Sequence, residues 1–438
     1  MGDQEHADRP GWGQLIMRAQ AVDPIDPSQR PGVIAQIDPV PRVSIQAFCE
    51  TPETAAIVQA AIADRRMAKT HVKQNMGGAA AAVEAYRSAP TPNVIVLEAT
   101  ANRDILVDQL EELSNFCDAG TKVIVLGRVN DIILYRDLMA RGVSEYLVAP
   151  FTAVEFVQAV SNLFRAPGAK PLGRVIAVIG AKGGVGASTV AHNLSWALAG
   201  DLESPTIIAD FDLGFGTAGL DYNQDPPQGV AEAVFAPERV DSNLIDRLLS
   251  KCGDRLHLLA APATLDRVYD FTETSFDSVV DTMRAAAPWI VLDLPHAWTA
   301  WTRRMLIAAD EVIVVAAPDL ANLRNAKNII DTIRGARPND YPPRLVLNGV
   351  GMAKRPEIAL ADFAKTIEAA PLAAIPHEPK LFGAAANNGQ MIAEIEPKGK
   401  VTEIFADLAA RLAGRAEARG AKRGLFDPFL AKLMGKKG

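Results

Sequence analysis

The stretch GAKGGVGASTVAHN, Gly180 to Asn193, decides how this chain is read. The apolar run RVIAVIG (174–180) comes just before the glycines, and STVAHNLSWALAG (188–200) follows with helical spacing. A glycine-rich turn therefore joins a strand to a helix, the context that gives such a motif meaning. Gly183, Gly184 and Gly186 let the backbone curl until its N–H groups converge, and the helix adds its positive end. Such a nest holds phosphate, and Ser188 stands where a hydroxyl reaches Mg²⁺. The pattern G-x-x-x-x-G-K-[ST] is broken twice, by Ala181 at the first glycine and by Ala187 at the lysine. Lys182, inside the turn, offers a charge from another direction. The plainer alternative is a tight turn with structural glycines.

Three further stretches follow at suitable intervals. IIADFDLGFGTAGLD ends a strand in Asp210, with Asp212 two residues on, at the end of a strand where parallel sheets bind ligands. Asp212 is placed to position metal or water, and Asp210 instead to brace the loop. Gly214 and Gly216 suit a segment that moves when a γ-phosphate binds. In WIVLDLPH, Asp293 closes an apolar strand as a metal-associated carboxylate does, and His296 reads as structural or surface. LVLNGVG ends in Asn348, whose amide can read an adenine edge. His192, in the helix after the loop, reads as packing.

Outward from this centre the chain divides into parts. Residues 1–41 are rich in Pro, Asp and Gln and read as a flexible arm. Residues 42–165 alternate strand and helix: RVSIQAF, NVIVLEAT, KVIVLGRV and EYLVAP are strands, while ETAAIVQAAIADRR, AAAAVEAYRS, ILVDQLEELSNFC, DIILYRDLMARG and AVEFVQAVSNLF are helices. Residues 166–173 form a linker around RAPGAKPLG. Residues 174–412 hold seven strand candidates with helices between most of them. The expected fold class is α/β, two parallel-sheet domains covered on both faces. The tail, 413–438, is basic: Arg411–Gly438 holds eight Lys or Arg against two acids.

Composition sets bounds. The chain has 438 residues, 49% hydrophobic, enough for two or three cores. A net charge of −7 gives no bulk reason to expect nucleic acid as a partner. Cys49, Cys117 and Cys252 are isolated and read as small hydrophobes in a reducing cytoplasm. No secretory signal or membrane-spanning run is recognisable, so the expected location is cytoplasmic.

Lys182-Gly183-Gly184-Val185-Gly186, followed by Ser188-Thr189, resembles the deviant Walker A loop of the MinD/ParA family, and residues 174–412 resemble its ATPase domain. The resemblance implies ATP and Mg²⁺ as cofactors, bound by Lys182 through Thr189 with Ala187 in the lysine position. It implies that Lys182 reaches across a nucleotide-sandwich homodimer to the partner's phosphates. It further implies that Asp212 supports Mg²⁺ and the attacking water, that Ser188 and Asp293 are metal-associated, and that Asn348 and Pro376 contact the base. GGVGASTVAHNLSWAL, with its alanine, is similar to the CpaE/TadZ group of tight-adherence (Flp/Tad) pilus assembly proteins. That group joins an atypical receiver-like (flavodoxin-like) domain to a MinD-like one. The implied role is a factor that positions pilus secretion machinery at a cell pole, with that machinery or a polar landmark protein as partner.

Measured against a working receiver, the first unit lacks its chemistry. Glu98 stands at the phosphate-accepting aspartate, Gly127 at the Ser or Thr, and Ala149 at the lysine before the proline. Dimerisation or docking is the expected role, with Glu98 as a permanent phosphate mimic the alternative. The absent loop lysine removes a charge worth a few kcal/mol at the transition state, so slow hydrolysis or none is expected. An active ParA-like partitioning ATPase and a scaffold without nucleotide are the alternatives. Residues 424–438 contain FDPFLAKLMGKKG, with Phe429, Leu430, Leu433 and Met434 on one helical side and Lys432, Lys436 and Lys437 adding charge. That arrangement suits peripheral contact with an anionic inner membrane, or a partner groove.

Overall fold

A computed structural model describes residues 37–100, 102–166, 168–265 and 267–415. The arm up to residue 36 and the tail from 416, with its membrane-helix reading, lie outside the described residues.

The first domain is a five-stranded sheet of β1 (Ser44–Cys49), β2 (His71–Met76), β3 (Val94–Ala99), β4 (Lys122–Gly127) and β5 (Glu145–Val148). All neighbours are parallel, in the order β2-β1-β3-β4-β5 of flavodoxin-type sheets. Central β3, VIVLEA, is buried along its whole length, as a strand covered on both faces must be. Helices Pro52–Ile62 and Ala153–Asn162 pack Val58, Phe156 and Val160 on one face. Helices Gly78–Tyr86, Arg103–Ser114 and Ile132–Ala140 pack Val83, Leu106 and Leu138 on the other. Each such fully buried side chain contributes about 1.5–3 kcal/mol. Ile37 and Val40 are buried in the first of these cores, so this domain includes residues ahead of Arg42. Strand β2, HVKQNM, is one that apolar patterning does not find: it lies at the sheet edge and is nowhere buried.

Glu98 is no phosphate mimic here. Its carboxylate is buried and accepts four hydrogen bonds: from the backbone of Glu50 (2.6 Å) and Thr51 (2.8 Å), and from the hydroxyls of Thr51 (2.6 Å) and Thr54 (2.7 Å). Burial works to raise its pKa, but these donors outweigh it and hold it below the ordinary value. The charge is spent on fixing the start of helix Pro52–Ile62. At Gly127 a side chain would collide with the ring of Tyr146, whose hydroxyl donates to Val129 O at 2.9 Å.

The second domain contains β6 (Arg174–Gly180), β7 (Thr206–Asp210), β8 (Ser250–Lys251), β9 (Leu256–Leu259), β10 (Trp289–Asp293), β11 (Glu311–Ala316), β12 (Arg344–Val350) and β13 (Ala373–Pro376). Their order is β13-β12-β11-β6-β10-β7-β9-β8, parallel except at the β8–β9 edge. Two apolar layers cover the sheet, one around Ile290, Phe276 and Ile330, the other around Val291, Leu194 and Phe405. After β6 the chain passes to one side for β7 and β9, returns through β10 beside β6, and continues on the other side through β11. The loop after β6 thus opens at the point where strand order reverses, the crevice in which such sheets bind ligands.

The sequence reading carries the helix after β1 through ADRR, but the α-helix ends at Ile62. Asp64 caps a short turn, Arg65–Met67, by accepting from Arg66 N at 2.9 Å. This turn presents Arg65 and Arg66 to the second domain. Arg65 bonds Asp340 (2.7 Å), Asp310 (3.2 Å) and Ala308 O (2.9 Å), and Arg66 pairs with Asp64 and Asp340. Asp310 and Asp340 precede β11 and β12, so the first domain meets the end of the sheet opposite the glycine loop. Among the described residues no helix is long and apolar enough to cross a membrane.

Candidate functional site

Gly184 (φ +78°) and Gly186 (φ +83°) take the left-handed conformation that the turn demands. Side chains from neighbouring elements fix the loop's carbonyls. His296 Nδ1 lies 2.8 Å from Gly180 O, Asn325 Nδ2 donates to Ala181 O (2.9 Å), and Asn348 Nδ2 donates to Val185 O (2.8 Å). Helix Ala187–Gly200 begins directly after Gly186, with no side-chain cap. Its first N–H groups lack intrahelical partners, the condition for anion binding. Ala187 occupies the first helical position and is half-buried, as is Ser188, while Lys182 is exposed.

Beside the loop lies a cleft of about 270 Å³ lined by Gly184, Val185, Gly186 and Thr189, together with Asn348 and Pro376. The structure therefore brings the two expected base contacts to the loop. Asn348 is already engaged, since its Oδ1 accepts from Gly349 N (2.9 Å) while its amide group holds the loop. Arg355, unnoticed in the sequence, also lines the cleft. It donates to Gly349 O (2.7 Å) and Glu357 (2.9 Å), and its Nε is buried without a partner. Its only sequence signal is a positive charge shortly after the β12 strand.

The carboxylates stand at the ends of β7 and β10. Asp210 braces the following segment, accepting from Asp212 N (3.1 Å) and Ala218 N (3.0 Å). A side chain at Gly216 would collide with that carboxylate. Burial, then the nearby Asp293, raises the Asp210 pKa above the carboxylate range, with His192 opposing. Asp212 is half-buried, accepts from Phe215 N (3.1 Å), and is raised by burial and by Asp293. Asp293 is buried, and its Oδ2 has no hydrogen-bond partner. Asp293 Oδ2, without a hydrogen bond, and the Asp212 carboxylate close enough to feel its charge are oxygen donors of the kind a hard cation takes. Ser188, Asp212 and Asp293 are the residues that would hold Mg²⁺.

His192 departs from the packing role read in the sequence. It is fully buried, with Nδ1 2.7 Å from Asp221 Oδ2 and Nε2 3.3 Å from Asp293 Oδ2. Burial disfavours its charge, but the two carboxylates prevail and push its pKa up to about 10. Its signal in the sequence is only that a histidine, not an aliphatic residue, occupies a buried helical position.

The AAA domain family model matches residues 173–342. The septum site-determining protein MinD of Bacillus subtilis (strain 168) is 24% identical over 260 residues, 56% of this chain and 91% of its own length. MinD from Pyrococcus horikoshii OT3, solved with Mg-ADP, is 21% identical, with a TM-score of 0.50, over 57% of this chain and 100% of that one. A pilus assembly protein CpaE from Caulobacter crescentus CB15 is 44% identical over 30% of this chain and 98% of its own, with a TM-score of 0.29. The chain is an α/β protein whose P-loop domain follows a separate parallel-sheet domain; that P-loop domain is similar to the MinD/ParA-like ATPases, and its cofactors are ATP and Mg²⁺.

Proposed function

We propose that this protein is a position-setting ATPase that closes as a homodimer over bound ATP and Mg²⁺. The carrying observation is the surface around the glycine loop. Exposed Lys182 shares the strand-end face with exposed Phe215, Leu220, Trp298 and Leu320, which leave β7, β10 and β11 on that side. Large apolar side chains held in water around a charged cleft suit coverage by a second copy. Lys182 would then reach the partner's phosphates, Asp212 would orient water, and Ser188 with Asp293 would hold the metal.

Ala187 places no charge at the phosphates, so turnover is slow and the ATP-bound dimer long-lived. The first domain sits at the far end of the sheet, so in such a dimer the two first domains stand apart. They are free to dock a cargo rather than each other. The cargo is the Flp/Tad pilus secretion machinery at a cell pole, an assignment that rests on GGVGASTVAHNLSWAL and its alanine.

A second reading, an active MinD/ParA-type ATPase with ordinary turnover, is favoured by the extent of the match to MinD and by the presence of Ser188, Asp212 and Asp293. Titration of the purified chain with ATP and Mg²⁺, following affinity, mass and phosphate release together, separates the two. Dimerisation with negligible release supports the first reading and rapid release the second. No ATP binding excludes both.

A further inference from the structure

We infer that His192 is a positioning residue that ties the Asp293 carboxylate to the segment Ala218–Asp221 and so couples the metal site to the dimer-facing surface. This rests on the nucleotide-binding reading above. The ring lies between two carboxylates on different elements, Asp221 at the end of helix Ala218–Asp221 and Asp293 at the end of β10. The backbone binds the same segment, because Tyr222 Oη donates to His192 O at 2.7 Å. Asp210 holds the segment's other end through Ala218 N.

The two sides of this clamp differ. Nδ1 and Asp221 make a short hydrogen bond. Nε2 and Asp293 Oδ2, at 3.3 Å, are close enough for an ion pair but are misaligned, and neither has a hydrogen-bond partner. Both atoms are buried, so neither can turn to water instead. Asp293 is thus near the ring but not locked to it by a hydrogen bond, and it is the side that can let go. When Asp293 turns to a metal-bound nucleotide, His192 keeps Asp221 alone. The helix that carries exposed Leu220 is then released from β10. The apolar rim would respond to the metal through this one ring. A buried aliphatic residue at 192 would pack equally well without making this connection.

The test compares His192→Leu, His192→Gln and Asp221→Asn with the wild-type chain. ATP affinity is measured in EDTA and in Mg²⁺, and protease protection of residues 212–222 is followed in both. The wild type is expected to bind ATP more tightly with Mg²⁺, and Mg²⁺ is expected to lower the protection of the segment by about tenfold. His192→Leu should keep the EDTA affinity within about twofold, and its segment should show the same low protection with and without Mg²⁺, because the tie that the metal releases is already gone. Asp221→Asn should shrink the Mg²⁺-dependent change in protection about threefold, and His192→Gln, which retains a donor, should recover part of it. Asp221 is partly exposed, so its variant decides the matter if His192→Leu does not fold. A wild-type Mg²⁺-dependent change in protection in the folded variants would overturn the inference and leave the ATPase reading intact. A wild-type chain that binds no ATP in either buffer overturns both.

Discussion

Arg65 Nε donates to Asp340 Oδ2 at 2.7 Å, joining residues 275 positions apart and belonging to different domains. Arg66 and Arg337 pair with the same carboxylate, and Asn339 donates to Asp64 at 3.0 Å. The contact is buried and lies at the end of the sheet opposite the glycine loop, so it joins the two domains away from the candidate nucleotide site.

Removing one partner strands the others. Asp340→Ala leaves three guanidinium groups competing for the remaining carboxylates, at a cost of about 3–5 kcal/mol. Urea unfolding should change from one transition to two, and trypsin should gain access to the 166–173 linker. A single transition with wild-type midpoint would mean that the domains are held by apolar packing instead.

Acid should loosen the same contact. Burial works to raise the Asp340 pKa, but Arg65, Arg66 and Arg337 lower it to about 2. A folded-state pKa below the unfolded value contributes stability that is complete above about pH 4 and disappears as pH falls through 2. The shift is worth about 2 kcal/mol. Chemical-denaturation midpoints followed from pH 6 to pH 2 should fall mainly below pH 4, and less so in Asp340→Asn.

At Gly186, a left-handed φ coincides with a close neighbour: a Cβ there would lie 2.5 Å from Asn348 Nδ2. Gly186→Ala therefore adds about 1–2 kcal/mol of backbone strain and pushes the asparagine off Val185 O. ATP affinity should fall at least about tenfold while circular dichroism shows the fold retained. Unchanged affinity would show that the loop can rearrange without loss.

Ala187→Lys restores the missing charge at a half-buried helical first position. Phosphate release should rise by about ten- to a hundredfold, because one such group is worth a few kcal/mol to the transition state. An unaltered rate would place the limit elsewhere, in Asp212 or in dimer opening.

Much was legible in the order of residues. RVIAVIG, WIVLDLP and EVIVVAAP announce buried parallel strands because both faces must be apolar, and the glycines at 183, 184 and 186 announce a turn that other residues resist. Carboxylates at strand ends followed from the same logic. Strand β2 was not legible, because an edge strand needs no apolar face. The reach of ADRR out of its helix was hidden too, since its partners lie in the other domain.

The sequence by itself determined two α/β domains, a phosphate-type turn without its lysine, and an acceptor position in the first domain occupied by Glu98. Local rules suffice there, since burial period and glycine geometry act over a few residues. Only the tertiary structure decided what Glu98, His192 and Arg65 do. Each is a charged or polar side chain whose role depends on which distant group compensates it once water is removed, and that pairing is set by how the strands are ordered.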